Sequence, residues 1–276
     1  MKARLPVSVL LLALPYVALA ADPPPPPPPQ GWSGTGEAGL AIASGNTKSE
    51  NLNAKIDIKF NDDLWKDDFY LLAQRNKSNV SSTTIDTATT PPTLVSTSQY
   101  NLTANRYETG ASLGYKFDDR SYIVGALRYE HDGFSPYDYQ YVASIGYGYQ
   151  FLKNARDELS AEAGPGYKVA QPTSILISAG TPPVIVEVQP DSDKNVVFRG
   201  KVDYRHNFND ATSFVDSFVV EAGSNNNFFQ NDAGLQVKMS DKLALKAAYQ
   251  VRYNSDVQPG YKKTDNLITT NLVYGF

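Results

Sequence analysis

The sequence predicts an all-β protein: a transmembrane antiparallel up-and-down β-barrel of about twelve strands. Three observations predict it. Long segments alternate polar and apolar residues, short connections alternate with longer ones, and aromatic residues gather at segment ends. Period-two alternation sends successive side chains to opposite faces of a strand. A soluble antiparallel sandwich alternates too, but its strands usually run about five or six residues. Strands that cross a bilayer need about 9 to 11. The segments here reach or exceed that longer length.

The expected strands are 32–43, 49–60, 68–79, 100–117, 121–134, 138–151, 157–169, 195–208, 212–223, 227–239, 243–254 and 263–276. In the second, Leu52, Ala54, Ile56, Ile58 and Phe60 alternate with Asn51, Asn53, Lys55, Asp57 and Lys59. In the sixth, Tyr139, Tyr141, Ala143, Ile145, Tyr147 and Tyr149 alternate with Gln140, Ser144, Gly146, Gly148 and Gln150. The third is ambiguous, because Phe69 to Ala73 is apolar on both faces. In the fourth, the parity shifts near Asn105, which predicts a bulge. An even strand number puts both termini on one side, the periplasmic side in single-chain bacterial barrels. The pattern also leaves ten or fourteen strands open.

Short turns are expected at Asn61–Asp67, Asp118–Arg120, Leu152–Arg156, Asn209–Ala211 and Ser240–Lys242. Longer connections are expected at Val80–Ser98 and Ala170–Lys194. The second of these carries two β-rich arms, Ser174–Ser178 and Val184–Val188, about Thr181-Pro182-Pro183, and so predicts a hairpin above the membrane. The aromatic pairs are Phe60 and Trp65, Tyr115 and Phe117, Tyr149 and Phe151, Tyr204 and Phe208, and Tyr274 and Phe276. A ring with an apolar body and a wet tip belongs at a membrane interface. Thr270, Leu272, Tyr274 and Phe276 end the chain at spacings of two, as in the C-terminal signal by which the barrel-assembly machinery receives outer-membrane barrels.

The N-terminus reads as an address. Lys2 and Arg4 precede an apolar run, Leu5 to Leu19, and Ala18-Leu19-Ala20 fits a small-x-small cleavage site. Residues 1–20 are therefore expected to be a cleaved signal peptide rather than a retained anchor, and 32–276 the barrel. Between them, 21–31 holds seven consecutive prolines, Pro23–Pro29. Such a run adopts polyproline II and serves either as a stiff periplasmic spacer or as a ligand for a periplasmic partner. The expected destination is the cell outer membrane and its lipid bilayer.

Composition narrows the chemistry. Mean hydropathy is −0.37, and no helical span is expected, since that needs about 18 or more apolar residues in a row. Tyr dominates the aromatics, with 18 Tyr against 12 Phe and 2 Trp. The net charge of −4 offers no basic field for nucleic acid. With no cysteine, thiol catalysis, thiolate metal sites and disulfides are excluded. No cofactor or metal is expected. Asp191-Ser192-Asp193-Lys194-Asn195 begins like a calcium loop, but Val196 stands where Gly is needed and Val202 where the bidentate Glu belongs.

Parity points many charged residues inward. The candidate lumen-lining residues are Lys55, Asp57, Lys59, Arg106, Glu108, Arg128, Glu130, Glu162, Arg199, Lys201, Asp203, Arg205, Lys246 and Arg252. Lys168 and Lys238 share their parity, as do Glu37, Glu158, Glu221, Asp232 and Asp265, so basic and acidic residues nearly balance. His206 and Asp216 point outward near short turns, where a lipid-facing charge costs little. The balance has two readings: ion pairs that plug the lumen, or a water-filled pore with facing walls of opposite sign. Arg199, Lys201 and Arg205 form a basic ladder broken by Asp203, which either attracts an anionic solute or is neutralised by neighbouring acids. His131, near the opposite rim, is the one candidate base, with Ser135 or Glu130 nearby. No motif supplies it with an oxyanion donor.

Several stretches resemble a known family. They are Trp32-Ser33-Gly34 leading into Ala43-Ser44-Gly45-Asn46-Thr47, Leu127-Arg128-Tyr129-Glu130, Gly164-Pro165-Gly166-Tyr167, and Lys263-Thr264-Asp265. In this order they resemble the YdiY-like family of salt-induced outer-membrane proteins, over nearly all of the chain after residue 31. The polyproline leader and the two long connections depart from that pattern. The resemblance implies an outer-membrane barrel and a salt or osmotic response, and carries over no catalytic residues. The sequence thus points to a non-enzymatic passive pore for small hydrophilic solutes or ions. The alternatives are a plugged barrel serving envelope integrity or loop contacts, and a hydrolase built on His131.

Overall fold

The structure, a computed structural model, describes residues 30–43, 48–88, 90–91, 93–179, 183–258 and 261–276. The expected signal peptide, nearly all of the polyproline segment and the Ser44–Thr47 part of the family motif lie outside the described residues. In chain order the strands are β1 (Gly31–Ala43), β2 (Ser49–Asn61), β3 (Trp65–Asp86), β4 (Thr93–Lys116), β5 (Ser121–Asp132), β6 (Tyr137–Lys153), β7 (Asp157–Pro172), β8 (Ile175–Ala179), β9 (Val184–Val188), β10 (Asp193–Asn207), β11 (Thr212–Gly223), β12 (Asn227–Lys238), β13 (Leu243–Asn254) and β14 (Thr264–Gly275). Twelve of them close an antiparallel barrel in the ring order β1-β14-β13-β12-β11-β10-β7-β6-β5-β4-β3-β2. β8 and β9 pair with each other as a separate hairpin.

The five short turns share one device. Asp62, Asp118, Asn154, Asn209 and Ser240 each accept hydrogen bonds from the backbone N–H groups two and three residues on. The side chain takes the place of a backbone carbonyl and starts the next strand at a set position. At Asp118 the N–H groups of Arg120 and Ser121 hold the carboxyl below the usual carboxylate range.

Five expectations are corrected or resolved. Most of the connection Val80–Ser98 is strand rather than loop: β3 and β4 stay paired from Asn79↔Tyr100 to Asp86↔Thr93. Its run of Ser, Thr, Val and Ile favours extended backbone, and Thr83 and Ser96 share a hydrogen bond of 2.9 Å across the pair. β3 also begins at Trp65, three residues before the expected start, because Asp62 closes its turn early. The ambiguous third strand takes its facing from the register. Asp68, Tyr70 and Leu72 stand opposite the inward Lys59, Asp57 and Lys55, so Phe69 and Leu71 face out. The predicted bulge is present where the register shifts between Asn76↔Ala104 and Lys77↔Leu102, which leaves Thr103 as the extra residue. Of the connection Ala170–Lys194, the ends belong to β7 and β10 and the middle forms the expected hairpin.

The exterior is apolar. Leu52, Ile56, Leu71, Leu113, Leu127, Ile145, Phe198 and Leu245 are all exposed, a belt far larger than water tolerates on a monomer. Aromatic pairs ring the short-turn end: Trp32 on Phe60 at 5.0 Å, Trp65 on Tyr115 at 5.5 Å, Tyr149 on Phe151 at 5.0 Å and Tyr274 on Phe276 at 6.4 Å. Tyr107, Tyr129, Tyr141 and Tyr167 stand exposed nearer the other end. This is the fold of outer-membrane barrels, with an apolar band between two aromatic girdles.

Glycine decides one close approach. The β6–β7 ladder is interrupted, with its register kept, between Ser144↔Gly166 and Tyr147↔Ala163, where Pro165 has no N–H to give. There a Cβ on Gly164 would lie 2.1 Å from the Ile145 carbonyl oxygen. Gly164→Ala is expected to destabilise the barrel by about 1–3 kcal/mol, read as a lower urea midpoint in lipid vesicles. An unchanged midpoint would show that the two backbones yield at no cost.

Candidate functional site

Parity and register build the site. Because an antiparallel ladder sets Cα partners on the same face, the inward residues of twelve strands converge on one axis. Two layers result. The layer in the long-loop half draws on Arg106 and Glu108 of β4, Arg128, Glu130 and Asp132 of β5, Lys168 of β7, Glu221 of β11 and Arg252 of β13. Arg128 Nη1 meets Glu130 Oε2 at 2.7 Å and its Nη2 meets Glu221 Oε1 at 2.7 Å. Lys168 Nζ lies 3.0 Å from the other Glu221 oxygen. Arg106 binds Glu108 and donates to Gln250 Oε1 at 3.0 Å, while Tyr70 donates to Glu108 at 2.7 Å.

This layer crosses the barrel. Arg252 binds Glu130, and β13 and β5 stand six places apart in a ring of twelve, directly opposite. Glu221 is 0% exposed and Glu130 1%. At the centre sits Phe228 of β12, its ring 5.1 Å from the Arg128 guanidinium, 5.2 Å from Lys168 Nζ and 5.3 Å from the Arg252 guanidinium. Cations favour an aromatic face, so the ring fills the space between three positive groups without adding charge. The four basic and four acidic members cancel. Breaking such a set is costly, since each deletion leaves a buried charge unpaired.

The layer in the short-turn half is looser. Lys55 and Lys59 both lie 3.5 Å from Asp57, Lys201 meets Asp203 at 2.8 Å, and Lys246 meets Glu37 at 2.8 Å. Lys66 donates to the Tyr122 hydroxyl at 3.1 Å, which donates to Glu162 at 3.1 Å. Here the Lys59 side chain is 57% exposed and that of Asp203 42%. The basic ladder is largely neutralised: Arg199 faces Glu162 at 3.5 Å and Lys201 takes Asp203, while Arg205 donates to Ser213 at 3.4 Å.

At the long-loop mouth the connections reach over the barrel. The Thr173 hydroxyl, just past β7, lies 3.2 Å from both Gln258 Oε1 and the Tyr261 hydroxyl in the β13–β14 connection. Gln258 Nε2 donates back to the Thr173 carbonyl at 3.2 Å. A concavity of about 640 Å³ lies on the outer wall, among Phe69, Leu71, Thr109, Ala111, Leu127 and Tyr129. Its lining is mostly the lipid-facing belt, with the inward Tyr70, Arg128 and Val142 also among it.

The hydrolase constellation is not assembled. His131 lies 3.3 Å from Asp138 on the outer face and stacks on Tyr107. Glu130, one residue away on the same strand, points the other way into the buried layer, as period two requires. Ser135 Oγ accepts from the Tyr137 N–H at 3.3 Å. His206 meets Asp157 at 2.7 Å beside a short turn, and Asp216 accepts from Asn231 at 2.7 Å. Tyr70, Phe228 and Gln250 escaped the charge-based reading. Phe228 was legible by parity alone, as an apolar ring among the inward positions of β12 beside Gln230 and Asp232.

Glu130→Ala removes the acceptor that Arg128 and Arg252 share, with an expected cost of about 3–5 kcal/mol. Glu130→Leu combined with Arg252→Leu removes both charges and is expected to cost less than the single change. Urea unfolding of the refolded barrel in lipid vesicles measures both, and a double variant weaker than the single one would contradict this account of the layer.

Comparison with known proteins shows the family. The family model described as "Protein of unknown function, DUF481" matches residues 36–276. The Uncharacterized protein YdiY of Escherichia coli (strain K12) is 24% identical over 249 residues, covering 88% of this chain and 82% of that protein. Among solved structures, the translocator domain of the autotransporter NalP from Neisseria meningitidis is 11% identical with a TM-score of 0.48, covering 90% of this chain and 88% of that one. The COG4313 outer membrane channel from Pseudomonas putida F1 is 12% identical with a TM-score of 0.45, covering 90% and 96%. The NanC porin is 11% identical with a TM-score of 0.43, covering 89% and 98%. With a family match that spans all twelve barrel strands from the middle of β1 onward, the chain belongs to the DUF481 family.

Proposed function

We propose that this chain is a non-enzymatic outer-membrane barrel of channel type whose lumen is shut in its long-loop half and entered from its short-turn side. One observation carries the reading: Arg252, Glu130 and the caged Phe228 join opposite walls of the barrel with almost no exposure. In the orientation we propose, the short turns and both termini face the periplasm, and the looser charged layer is a vestibule open to it. Small hydrophilic solutes or ions pass only when the buried layer parts. A response to salt belongs to the same proposal. Screening reaches exposed pairs before buried ones, so Lys59 and Asp57 in the vestibule loosen before Arg128 and Glu221 do.

Single-channel recording in a planar bilayer tests this, with folding checked by heat-dependent gel mobility. The unaltered barrel is expected to be silent. Phe228→Ala combined with Arg252→Ala is expected to show discrete conductance steps. Steady steps from the unaltered barrel would overturn the closed lumen. A folded but silent double variant would overturn the channel and leave a structural barrel capped by its Thr173–Gln258 contact.

A further inference from the structure

The barrel closes between β1 and β14, and this ladder is unlike the others. It runs from Thr35↔Gly275 to Ala38↔Leu272, with two further bonds between Gly34 and Phe276. Continued in the same register it would pair Ala41 with Thr269. No such pair forms, although β1 stays paired to β2 as far as Ala43↔Ser49 and β14 to β13 as far as Tyr253↔Thr264. The long-loop half of the seam is therefore parted. Exposure gives an independent sign of it. Ile268 beside the gap is 78% exposed, with Leu40 and Ile42 at 68% and 69%, against 63% for Leu127 on a strand paired on both sides.

The inner side of the gap is polar and incomplete. Where the strands separate, Asn53 Oδ1 and Asn271 Oδ1 are buried with no hydrogen-bond donor. Both lie 2.5 Å from the point a Cβ on Gly39 would occupy, with the Thr270 carbonyl oxygen at 2.8 Å. Asn271 is 8% exposed, and its Nδ2 donates to Glu37 Oε2 at 3.1 Å, which turns its oxygen toward the gap. Three acceptor oxygens thus converge beside the Glu37 carboxylate, where the absence of a side chain on Gly39 leaves room.

Two requirements meet here. Buried acceptors need donors, and unpaired strand edges in hydrocarbon need covering. A primary ammonium offers three donors for the three acceptor oxygens, beside a Glu37 carboxylate that Lys246 already binds, and a hydrocarbon chain suits Leu40, Ile42 and Ile268 outside. We propose that the parted half of the β1–β14 seam is a lateral binding site for an amphiphile with a primary ammonium head and a hydrocarbon tail. Its head lies against Asn53 and Asn271, and its tail lies in the bilayer. The site rests on the membrane reading of the barrel and is independent of whether the lumen conducts.

The chain has no cysteine, so introduced pairs report cleanly. A disulfide needs Cα atoms about 4.4–6.8 Å apart. Ala41→Cys with Asn51→Cys, across the intact β1–β2 ladder, is expected to oxidise readily, and Ala41→Cys with Thr269→Cys is not. The refolded barrel in phosphatidylcholine vesicles is then irradiated with dodecylamine carrying a diazirine on its tail. Label is expected in Gly39–Ala43 and Ile268–Leu272. It is expected to fall severalfold in Asn53→Leu and to persist in Asn53→Asp, with folding of each variant checked by heat-dependent gel mobility. Ready oxidation of the Ala41–Thr269 pair would overturn the open seam. Label that ignores the seam, or that is equal in Asn53→Leu, would overturn the ammonium site and assign the amide oxygens to water.

Discussion

Every backbone N–H and C=O that enters hydrocarbon must find a partner within the protein, because an unpaired group there costs several kcal/mol. The rest of this structure depends on that constraint. It forces the sheet to close, closure gives the sheet an inside and an outside, and the two-residue period of a strand then sorts every side chain to one or the other. Short turns repeat one side-chain cap at Asp62, Asp118, Asn154, Asn209 and Ser240, so each hairpin enters the membrane with its register already set. A slip of one residue would turn Lys55 and Asp57 to lipid and Ile56 and Ile58 to the lumen.

The interior solves a second problem that closure creates. Charges drawn together in a low dielectric must be matched, or their desolvation outweighs any attraction. Arg106, Arg128, Lys168 and Arg252 are matched by Glu108, Glu130, Asp132 and Glu221, and Phe228 occupies the centre without unbalancing them. The same charges in the short-turn half keep contact with water and so need less exact pairing. One wall pattern thus produces a tightly paired, buried layer in one half and a looser, more exposed one in the other.

The constraint is met least well where the chain's two ends meet. Eleven of the closures join strands that are neighbours in the chain or are linked by a hairpin excursion, whereas β1 and β14 come from opposite ends and are held by a short ladder, Gly34 to Phe276 and Thr35–Ala38 to Leu272–Gly275. Glu37 reinforces that seam from inside through Lys246 and Asn271. Beyond Ala38 the edges separate, and unpaired acceptors gather there.

Local pattern alone determined much of this protein. Alternation located the twelve barrel strands, because burial on one face repeats every two residues whatever the partner strand is. Parity likewise assigned Lys55, Asp57, Arg128, Glu130 and Arg252 to one face. It failed where the pattern was degenerate: Phe69 to Ala73 is apolar on both faces, and only the pairing of Tyr70 with Asp57 assigns its facing. Polarity misled at Val80–Ser98, where Ser and Thr read as loop yet pair as strand. Tertiary structure decided which charges meet. That Arg252 reaches Glu130, or that Phe228 stands between three cations, depends on strand order and on the stagger of one strand against the next around the ring. Sequence spacing carries no record of that distance, since the two residues are brought opposite each other only by closure.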